Sequence, residues 1–291
     1  MTGRLLLLCP GQGGQHAGMF DLARTDAGAR AFIDRCALPA EPQALFANRV
    51  AQPAIVAATL AMWLALKDAL PAPALVVGYS IGELAAYGVA GALSPDDAVR
   101  LAQARAGMMD DAAAGAPQGL AAVSGIDVEH VRAVIGVAIV TGHDSCIAGG
   151  TAAQLDALPS HFPGARIQRL PVGVASHTAL MAGAVAPFSH LLQATTFAPW
   201  RVPVLAGVDA ARVLRADMAI DRLARQLQET IAWDACMDAA SEAGITVALE
   251  LGPGAALARM LQARQPRIAC RSVADFHTLD GVARWVARAM D

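Results

Sequence analysis

The chain is poor in aromatic and charged residues and has no closely spaced cysteines. Aromatics make up 4% and charged residues 16% of its 291 residues, whereas apolar residues make up 55%. A net charge of −3, with Lys and Arg scattered rather than clustered, leaves no basic footprint for nucleic acid. The five cysteines (9, 36, 146, 236 and 270) are odd in number and widely spaced. No Cys-x-x-Cys occurs, so neither a disulfide frame nor a zinc site is indicated, and a reducing cytoplasm fits. The longest apolar run, Ala54 to Leu66, ends at Lys67-Asp68 and is too short to span a bilayer, so it reads as a buried helix. Leu5-Leu6-Leu7-Leu8 is too short for a signal core and runs at once toward Pro10-Gly11. These absences point to a soluble, cytoplasmic protein with no resident cofactor or metal and no nucleic-acid or membrane partner. No internal repeat or low-complexity tract occurs.

What the chain does have is centred on residues 74–82, Ala-Leu-Val-Val-Gly-Tyr-Ser-Ile-Gly. A short apolar run ends in Gly-x-Ser-x-Gly, and a helix-forming run, Glu83 to Tyr87, follows directly. That is the strand–turn–helix setting in which such a motif becomes a nucleophile elbow. Small residues must flank the serine because the turn is tight. Ser80 then sits at the positive end of a helix, with the Ile81 N–H free to bind an oxyanion. The length suits one large domain, or one domain carrying an insertion. Alanine supplies much of the apolar content, which favours helices packed closely on a sheet.

Along the chain, Leu5–Cys9 reads as a buried strand. It opens into Pro10-Gly11-Gln12-Gly13-Gly14-Gln15, rich in backbone donors. Neither phosphate-loop pattern fits, since His16 stands where a third glycine belongs and no Gly-Lys-Ser/Thr follows. Gln52-Pro53 is expected to start the buried helix, and Ala74–Val77 to form the next strand. Ser94-Pro95-Asp96-Asp97 is a well-formed helix start, with Ser94 as cap, and this helix should end near Met109–Ala112. From residue 118 the texture changes. Strands near Leu120–Val123, Val137–Thr141, Cys146–Ala148 and Arg166–Val174 alternate with helices at Val128–Ile135 and Ala152–Leu158. That β-α-β-β-α-β order is the ferredoxin-like unit. It is read as a small domain, residues 118–185, inserted into a larger α/β domain of residues 1–117 and 186–291. In the larger part, Arg222–Glu242 is helix-rich, Thr246–Leu251 is a strand ending at Gly252-Pro253-Gly254, and Leu279–Met290 is an amphipathic helix.

A nucleophilic serine needs a base, and two of the seven histidines stand out by position. His177 follows an expected strand at Leu170–Ala175, and strand ends are where α/β sites collect. His277 lies near the C-terminus, where an α/β-hydrolase carries its histidine; Asp209 would then be the acid. On the helix that starts after Ser94, residues 98, 101, 105 and 108 share one face, which places Arg105 within an apolar stripe. Such an arginine either snorkels out or pairs with a local carboxylate, or it forms an anion site, because a buried guanidinium needs a partner.

Taken together these segments resemble the malonyl-CoA:acyl-carrier-protein transacylase family over nearly the whole chain. Residues 10–15 are similar to its Pro-Gly-Gln-Gly-x-Gln, and Ala51-Gln52-Pro53-Ala54 to its Gln-Pro-Ala helix start. Gly78-Tyr79-Ser80-Ile81-Gly82-Glu83 resembles its nucleophile motif, Gln103 to Met109 its arginine motif, and Val174 to Met181 its histidine motif. Gln226-Leu227 before Trp233 looks like the segment that supports the histidine, and Glu250 to Gly254 like its Gly-Pro-Gly turn. The resemblance implies an α/β-hydrolase-like large domain with a ferredoxin-like insertion. It implies Ser80 as nucleophile, His177 as base, and the Gln12 and Ile81 amides as oxyanion donors. Arg105 would bind the malonyl carboxylate, a Gln226 carbonyl would orient His177, and Gln52 would line the pocket. The implied reaction moves malonyl from malonyl-CoA, through a malonyl-serine, to the phosphopantetheine-type thiol of an acyl carrier protein. Coenzyme A is released and no bound cofactor takes part.

Departures from the family pattern bear on the acceptor. Tyr79 precedes the nucleophile where fatty-acid and polyketide members commonly have histidine, and Cys9 precedes Pro10-Gly11-Gln12. Gly142-His143-Asp144-Ser145 replaces an asparagine-containing segment, and Gln228-Glu229-Thr230-Ile231 replaces Tyr-x-Pro-Val. Gly-Tyr-Ser-Ile-Gly-Glu in a compact chain looks most like the epsilon subunit of bacterial malonate decarboxylase, which implies a small dedicated carrier subunit as acceptor and the other decarboxylase subunits as partners. The transacylase of fatty-acid or polyketide synthesis is the alternative within the class. A serine thioesterase or esterase using Ser80 with His277, and a non-catalytic interaction module, are the alternatives outside it.

Overall fold

The computed structural model describes residues 3–38 and 45–291. In chain order the elements are β1 (Leu5–Cys9), α1 (Ala27–Arg35), α2 (Asn48–Leu66), β2 (Leu75–Gly78), α3 (Gly82–Val89), α4 (Pro95–Ala113), β3 (Gln118–Ser124), α5 (Val128–Arg132), β4 (Gly136–Gly142), β5 (Ser145–Thr151), α6 (Ala152–His161) and β6 (Arg166–Arg169). There follow α7 (Ala182–Gln193), β7 (Val204–Leu205), β8 (Arg212–Val213), α8 (Ala216–Arg225), β9 (Ile231–Ala232), α9 (Trp233–Glu242), β10 (Val247–Glu250), α10 (Ala256–Arg264), β11 (Ala269–Ser272) and α11 (Leu279–Met290).

Two sheets organise the molecule. The larger has the strand order β11-β10-β1-β2-β7-β8 and is parallel except where β8 returns against β7. Its central strand is buried on both faces, which is why residues 5–9 read as a continuous apolar run. Leu5, Leu7 and Cys9 face the helical layer that contains α2, α3 and α4, while Leu6 and Leu8 face Trp233 and Met237 on α9. The smaller sheet, β6-β3-β5-β4-β9, takes its first four strands from the expected ferredoxin-like segment. Its fifth, β9, comes from residues 231–232 and pairs parallel with β4, so it ties this sheet to the segment that follows Gln226. The fold is the expected α/β large unit with a ferredoxin-like small one.

Two boundaries differ from expectation. Helix α2 begins at Asn48, not at Gln52-Pro53, and Pro53 lies inside it. No side chain caps its start; instead its first turn is held to α4, where Asn48 Nδ2 donates to Asp110 Oδ1 (2.8 Å) and Arg49 donates to Asp110 and Asp111. Those tertiary bonds anchor the first turn, although they satisfy none of its backbone amides as a cap would. Although α2 is long and apolar enough to cross a bilayer, most of it is buried among α1, α3 and α4. The strand expected over Arg166–Val174 stops at Arg169. Leu170 still donates to Leu120, but Pro171 has no N–H to offer the ladder, and the chain runs irregularly to His177.

Helix α4 starts as expected. Ser94 Oγ accepts from the Asp97 amide (3.1 Å), Pro95 occupies the first helical position, and Asp96 and Asp97 fill the first turn. Its buried face carries Ala98, Leu101, Ala102, Arg105 and Met109, with Met108 half-buried beside it.

The loop after β1 is locked against its neighbours on either side. A Cβ at Gly82 would strike the main-chain oxygens of Cys9 and Pro10, and one at Gly14 would strike that of Pro253. Gly82→Ala should therefore destabilise the fold by about 3 kcal/mol or more, at the top of the overpacking range because both obstacles are backbone. Urea unfolding checks this; an unchanged midpoint would show that the turn has slack.

Candidate active site

Ser80 lies at the end of β2, in the turn that leads into α3. Its backbone is left-handed, with φ +55°, a conformation that costs a non-glycine residue of order 1–3 kcal/mol. The chain tolerates it because Gly78 and Gly82 permit backbone contacts that any side chain would block. The turn is fastened by Tyr79 N donating to Cys9 O (2.9 Å) and Glu83 N donating to Ser80 O (3.0 Å). Tyr79 turns its ring edge-on to Trp233, with centroids 5.0 Å apart.

His177 approaches from the irregular stretch after β6 rather than from a strand end. It too is left-handed, with φ +61°, and its amide donates to Leu227 O (2.8 Å). Its Nε2 lies 2.7 Å from Ser80 Oγ, and its Nδ1 lies 2.5 Å from the main-chain oxygen of Gln226. A carbonyl only accepts, so Nδ1 carries the proton and Nε2 is left to accept from the serine hydroxyl. Gln226 is the C-cap of α8, where helix carbonyls have no partner within the helix, so its oxygen is available. Burial, and then the nearby Arg105 charge, hold the His177 imidazole down to about 3, against the upward pull of the Gln226 bond.

Arg105 neither snorkels out nor pairs with a local carboxylate. It is 2% exposed. Nη1 donates to Gln52 Oε1 (2.6 Å) and Nη2 to Gln226 Oε1 (3.1 Å), both neutral acceptors. Among the described residues no carboxylate reaches it within ion-pair distance. Burial lowers its basicity to about 10, and Glu83 acts from a distance in the opposite direction. Gln52 is itself held by its Nε2, which donates to Asn48 Oδ1 (2.8 Å) and Met109 Sδ (3.4 Å).

The Gln12 loop packs beside the elbow: a Cβ on Gly11 would touch the carbonyl and ring of Tyr79. Among the described residues, the amides of Gln12 and Ile81 donate to no protein group. A cavity of about 310 Å³ bordered by Gln12, Tyr79, Glu250 and Met260 opens next to this loop. A second, of about 400 Å³, has His177 and Thr178 at one wall and Arg132, Gln154 and Thr230 around it.

The structure thus gathers Ser80, His177, Gln226, Arg105, Gln52, Gln12 and Ile81 from segments far apart in sequence. His277 is not among them; it lines a separate cavity with His16 and Phe276. Asp209 is engaged by Arg222 (2.9 Å). Gly142-His143-Asp144-Ser145 forms the β4–β5 turn. Among the described residues no group of three or more His, Cys, Asp or Glu side chains is placed to hold a metal ion. One buried member had no role in the sequence reading. Glu83 accepts from Gln226 Nε2 (2.5 Å) and from the Gly207 amide (3.0 Å), both through Oε2. The signal was a lone acid in the otherwise apolar helix Gly82–Val89.

With its basicity so depressed, His177 should remain neutral at pH 5. Ring-nitrogen NMR shifts of ¹⁵N-histidine-labelled protein check this, and a charged His177 ring at pH 6 would contradict both its lowered basicity and Nε2 as acceptor from Ser80.

Comparison with known proteins places the chain in a family. The chain matches the acyl transferase domain family over residues 6–274. It is 31% identical to the malonyl CoA-acyl carrier protein transacylase of Mycobacterium bovis, across 96% of this chain and 99% of that protein. It is 30% identical to the transacylase of the same name from Escherichia coli K12, across 85% and 88%. The crystal structure of MCAT from Mycobacterium tuberculosis superposes with a TM-score of 0.89 at 31% identity, covering 96% of this chain and 99% of that one. The acyl-carrier-protein S-malonyltransferase of Burkholderia pseudomallei gives 0.89 at 27%, covering 97% and 99%. By its match along most of its length and by these relatives, the chain belongs to the malonyl-CoA:acyl-carrier-protein transacylase family of acyl transferases.

Proposed function

We propose that this chain transfers malonyl from malonyl-CoA to the phosphopantetheine-type thiol of an acyl carrier protein, through a malonyl ester on Ser80. The observation that carries the reading is Arg105: a buried guanidinium, next to the Ser80–His177 pair, whose partners among the described residues are two amide oxygens. A buried cation without a counter-ion is costly, and a free carboxylate on the acyl group would supply one with bidentate geometry.

The steps follow from the chain's own groups. Ser80 Oγ attacks the thioester carbonyl while His177 Nε2 takes its proton. The tetrahedral oxyanion is held by the Gln12 and Ile81 amides, each such donor being worth roughly 3–4 kcal/mol where measured. The C–S bond breaks, and the proton on His177 passes to the departing CoA thiolate. The carrier thiol then gives its proton to His177 and attacks the malonyl ester, and the serine leaves with that proton. Gln226 holds the imidazole in the correct tautomer through its main-chain oxygen, so no aspartate is needed. Gln52 steadies Arg105.

For the acceptor, the comparisons favour a carrier of the fatty-acid or polyketide type over the dedicated carrier subunit of a malonate decarboxylase. Relatives that align over nearly the full chain bear transacylase names. The decarboxylase reading rests on Tyr79 and the neighbouring departures, and it remains the second reading. A Ser80–His277 hydrolase gains no support, since His277 lies on another cavity.

Arg105→Ala should lose malonyl preference by two orders of magnitude or so, the range for removing a charge-assisted contact, and gain acetyl transfer from acetyl-CoA. Intact-mass analysis after incubation with each acyl-CoA reads this out, and unchanged malonyl loading would remove the anion-site reading. The same assay with a fatty-acid-type carrier and a malonate-decarboxylase-type carrier separates the two acceptors; loading of the decarboxylase carrier alone would reverse the preference stated here.

A further inference from the structure

The geometry points to Glu83 as a positioning residue: it fixes the Gln226 amide so that Arg105 meets a neutral amide oxygen, not a carboxylate, and its charge is left for the acyl carboxylate. The assignment deepens the proposed function and rests on it.

The Gln226 side chain lies between two buried groups of opposite kind. Its Nε2 donates to Glu83 Oε2 and to the Ser80 carbonyl (3.3 Å), and its Oε1 accepts from Arg105 Nη2. Burial raises the Glu83 carboxyl to about 7, but its Oε2 already takes two donors, so any proton sits on Oε1. Oε2 and the Ser80 carbonyl therefore only accept, and a guanidinium only donates. One orientation of the amide satisfies all three contacts. The flipped amide would set its NH₂ against the guanidinium and its oxygen against the carboxylate, leaving buried groups unpaired on both sides. Glu83 and the Ser80 carbonyl together hold the NH₂ end of Gln226, so that its oxygen is the end Arg105 meets.

Distance matters as much as orientation. A carboxylate in direct contact with Arg105 would occupy the donors that a malonyl group needs. Gln226 stands between them, so Glu83 acts on the guanidinium without touching it. Glu83 is anchored in turn by the Gly207 amide and by its place in α3, the helix whose N-terminus faces Ser80. Both its hydrogen bonds go to Oε2, and Oε1 has no protein partner among the described residues.

That asymmetry gives a clean test. In Glu83→Gln the amide oxygen can replace Oε2 and keep both bonds, with the NH₂ in place of the unpartnered Oε1. Glu83→Met keeps most of the volume and removes the acceptor, and it serves alongside Glu83→Ala in case the smaller side chain prevents folding. Each variant is checked by circular dichroism and then assayed with malonyl-CoA and with p-nitrophenyl acetate, a neutral ester that acylates Ser80 without calling on Arg105. In Glu83→Met, kcat/KM for malonyl-CoA should fall about ten- to a hundredfold, chiefly through KM, while p-nitrophenyl acetate changes by no more than about threefold. Glu83→Gln should stay within about threefold of wild type on both. Equal losses on both substrates would mean damage to the elbow and would overturn the assignment. So would no loss with malonyl-CoA, or a Gln variant as impaired as the Met variant. Arg105→Ala, assayed in parallel, separates the two levels. If it keeps malonyl preference the proposed function itself fails; if it loses the preference while Glu83→Met does not, only the role of Glu83 falls.

Discussion

A buried guanidinium that meets no counter-ion among the described residues sets the terms for everything around it. Arg105 is enclosed on α4 among apolar neighbours, yet its partners are amide oxygens from Gln52 on α2 and from Gln226 after α8. A carboxylate in either place would stabilise the empty protein and spoil the site, because the guanidinium would already be neutralised. The same constraint explains why a main-chain carbonyl orients His177. An aspartate behind the imidazole would sit close to Arg105 and compete for it. The carbonyl fixes the tautomer with no formal charge, and the nearest acid, Glu83, is held one amide away.

Placing Ser80 and His177 against each other requires unusual backbone at both. Each residue is left-handed, and each is held there by main-chain bonds to another segment: Tyr79 to Cys9 at the elbow, and His177 to Leu227 opposite. The loops that follow β1 and β10 interlock through Gly14 and Pro253, and Gly82 fits under the Cys9 and Pro10 carbonyls. The glycines of the motif are thus steric requirements rather than flexible joints. Local strain of this kind persists only where the surroundings over-determine the conformation, as the two flanking sheets and α3 do here. The serine and the two free amides of Gln12 and Ile81 are consequently carried on rigid backbone.

Much of this was legible in the sequence where the signal is local. The β1 run, the Ser94 cap with Pro95, the Gly-x-Ser-x-Gly turn and the β-α-β-β-α-β order each depend on residues close together, and each formed. What was not legible depends on distant partners. The first turn of α2 is tied to Asp110 and Asp111 on α4, which no pattern near Asn48 reveals. The position of Arg105 in an apolar stripe could be read, but whether it snorkelled or stayed buried depended on Gln52 and Gln226. The strand expected before His177 failed at Pro171, for a reason present in the sequence but outweighed there by its apolar neighbours. Glu83 stood in plain view as an acid in an apolar helix; its meaning required knowing that Gln226 and Gly207 fold over it.

The network also bears on why an acyl-serine here would be relieved by a thiol rather than by water. The His177 imidazole is a weak base, held down first by burial and then by Arg105. For any one base, the preference between two proton donors is set by the donors' own acidities. A thiol ionises near pH 8.5, whereas bulk water ionises near 15.7, so moving the proton to the same imidazole favours the thiol by about 7 units, or about 10 kcal/mol. A malonyl carboxylate on Arg105 would cancel part of the charge that depresses His177, so the base would strengthen only when the acyl group that Arg105 selects is in place. Substrate choice and proton transfer are then linked through one cation. A hydrolase built on the same elbow would gain from a strongly basic histidine backed by a carboxylate; here the main-chain oxygen of Gln226 stands behind His177 instead.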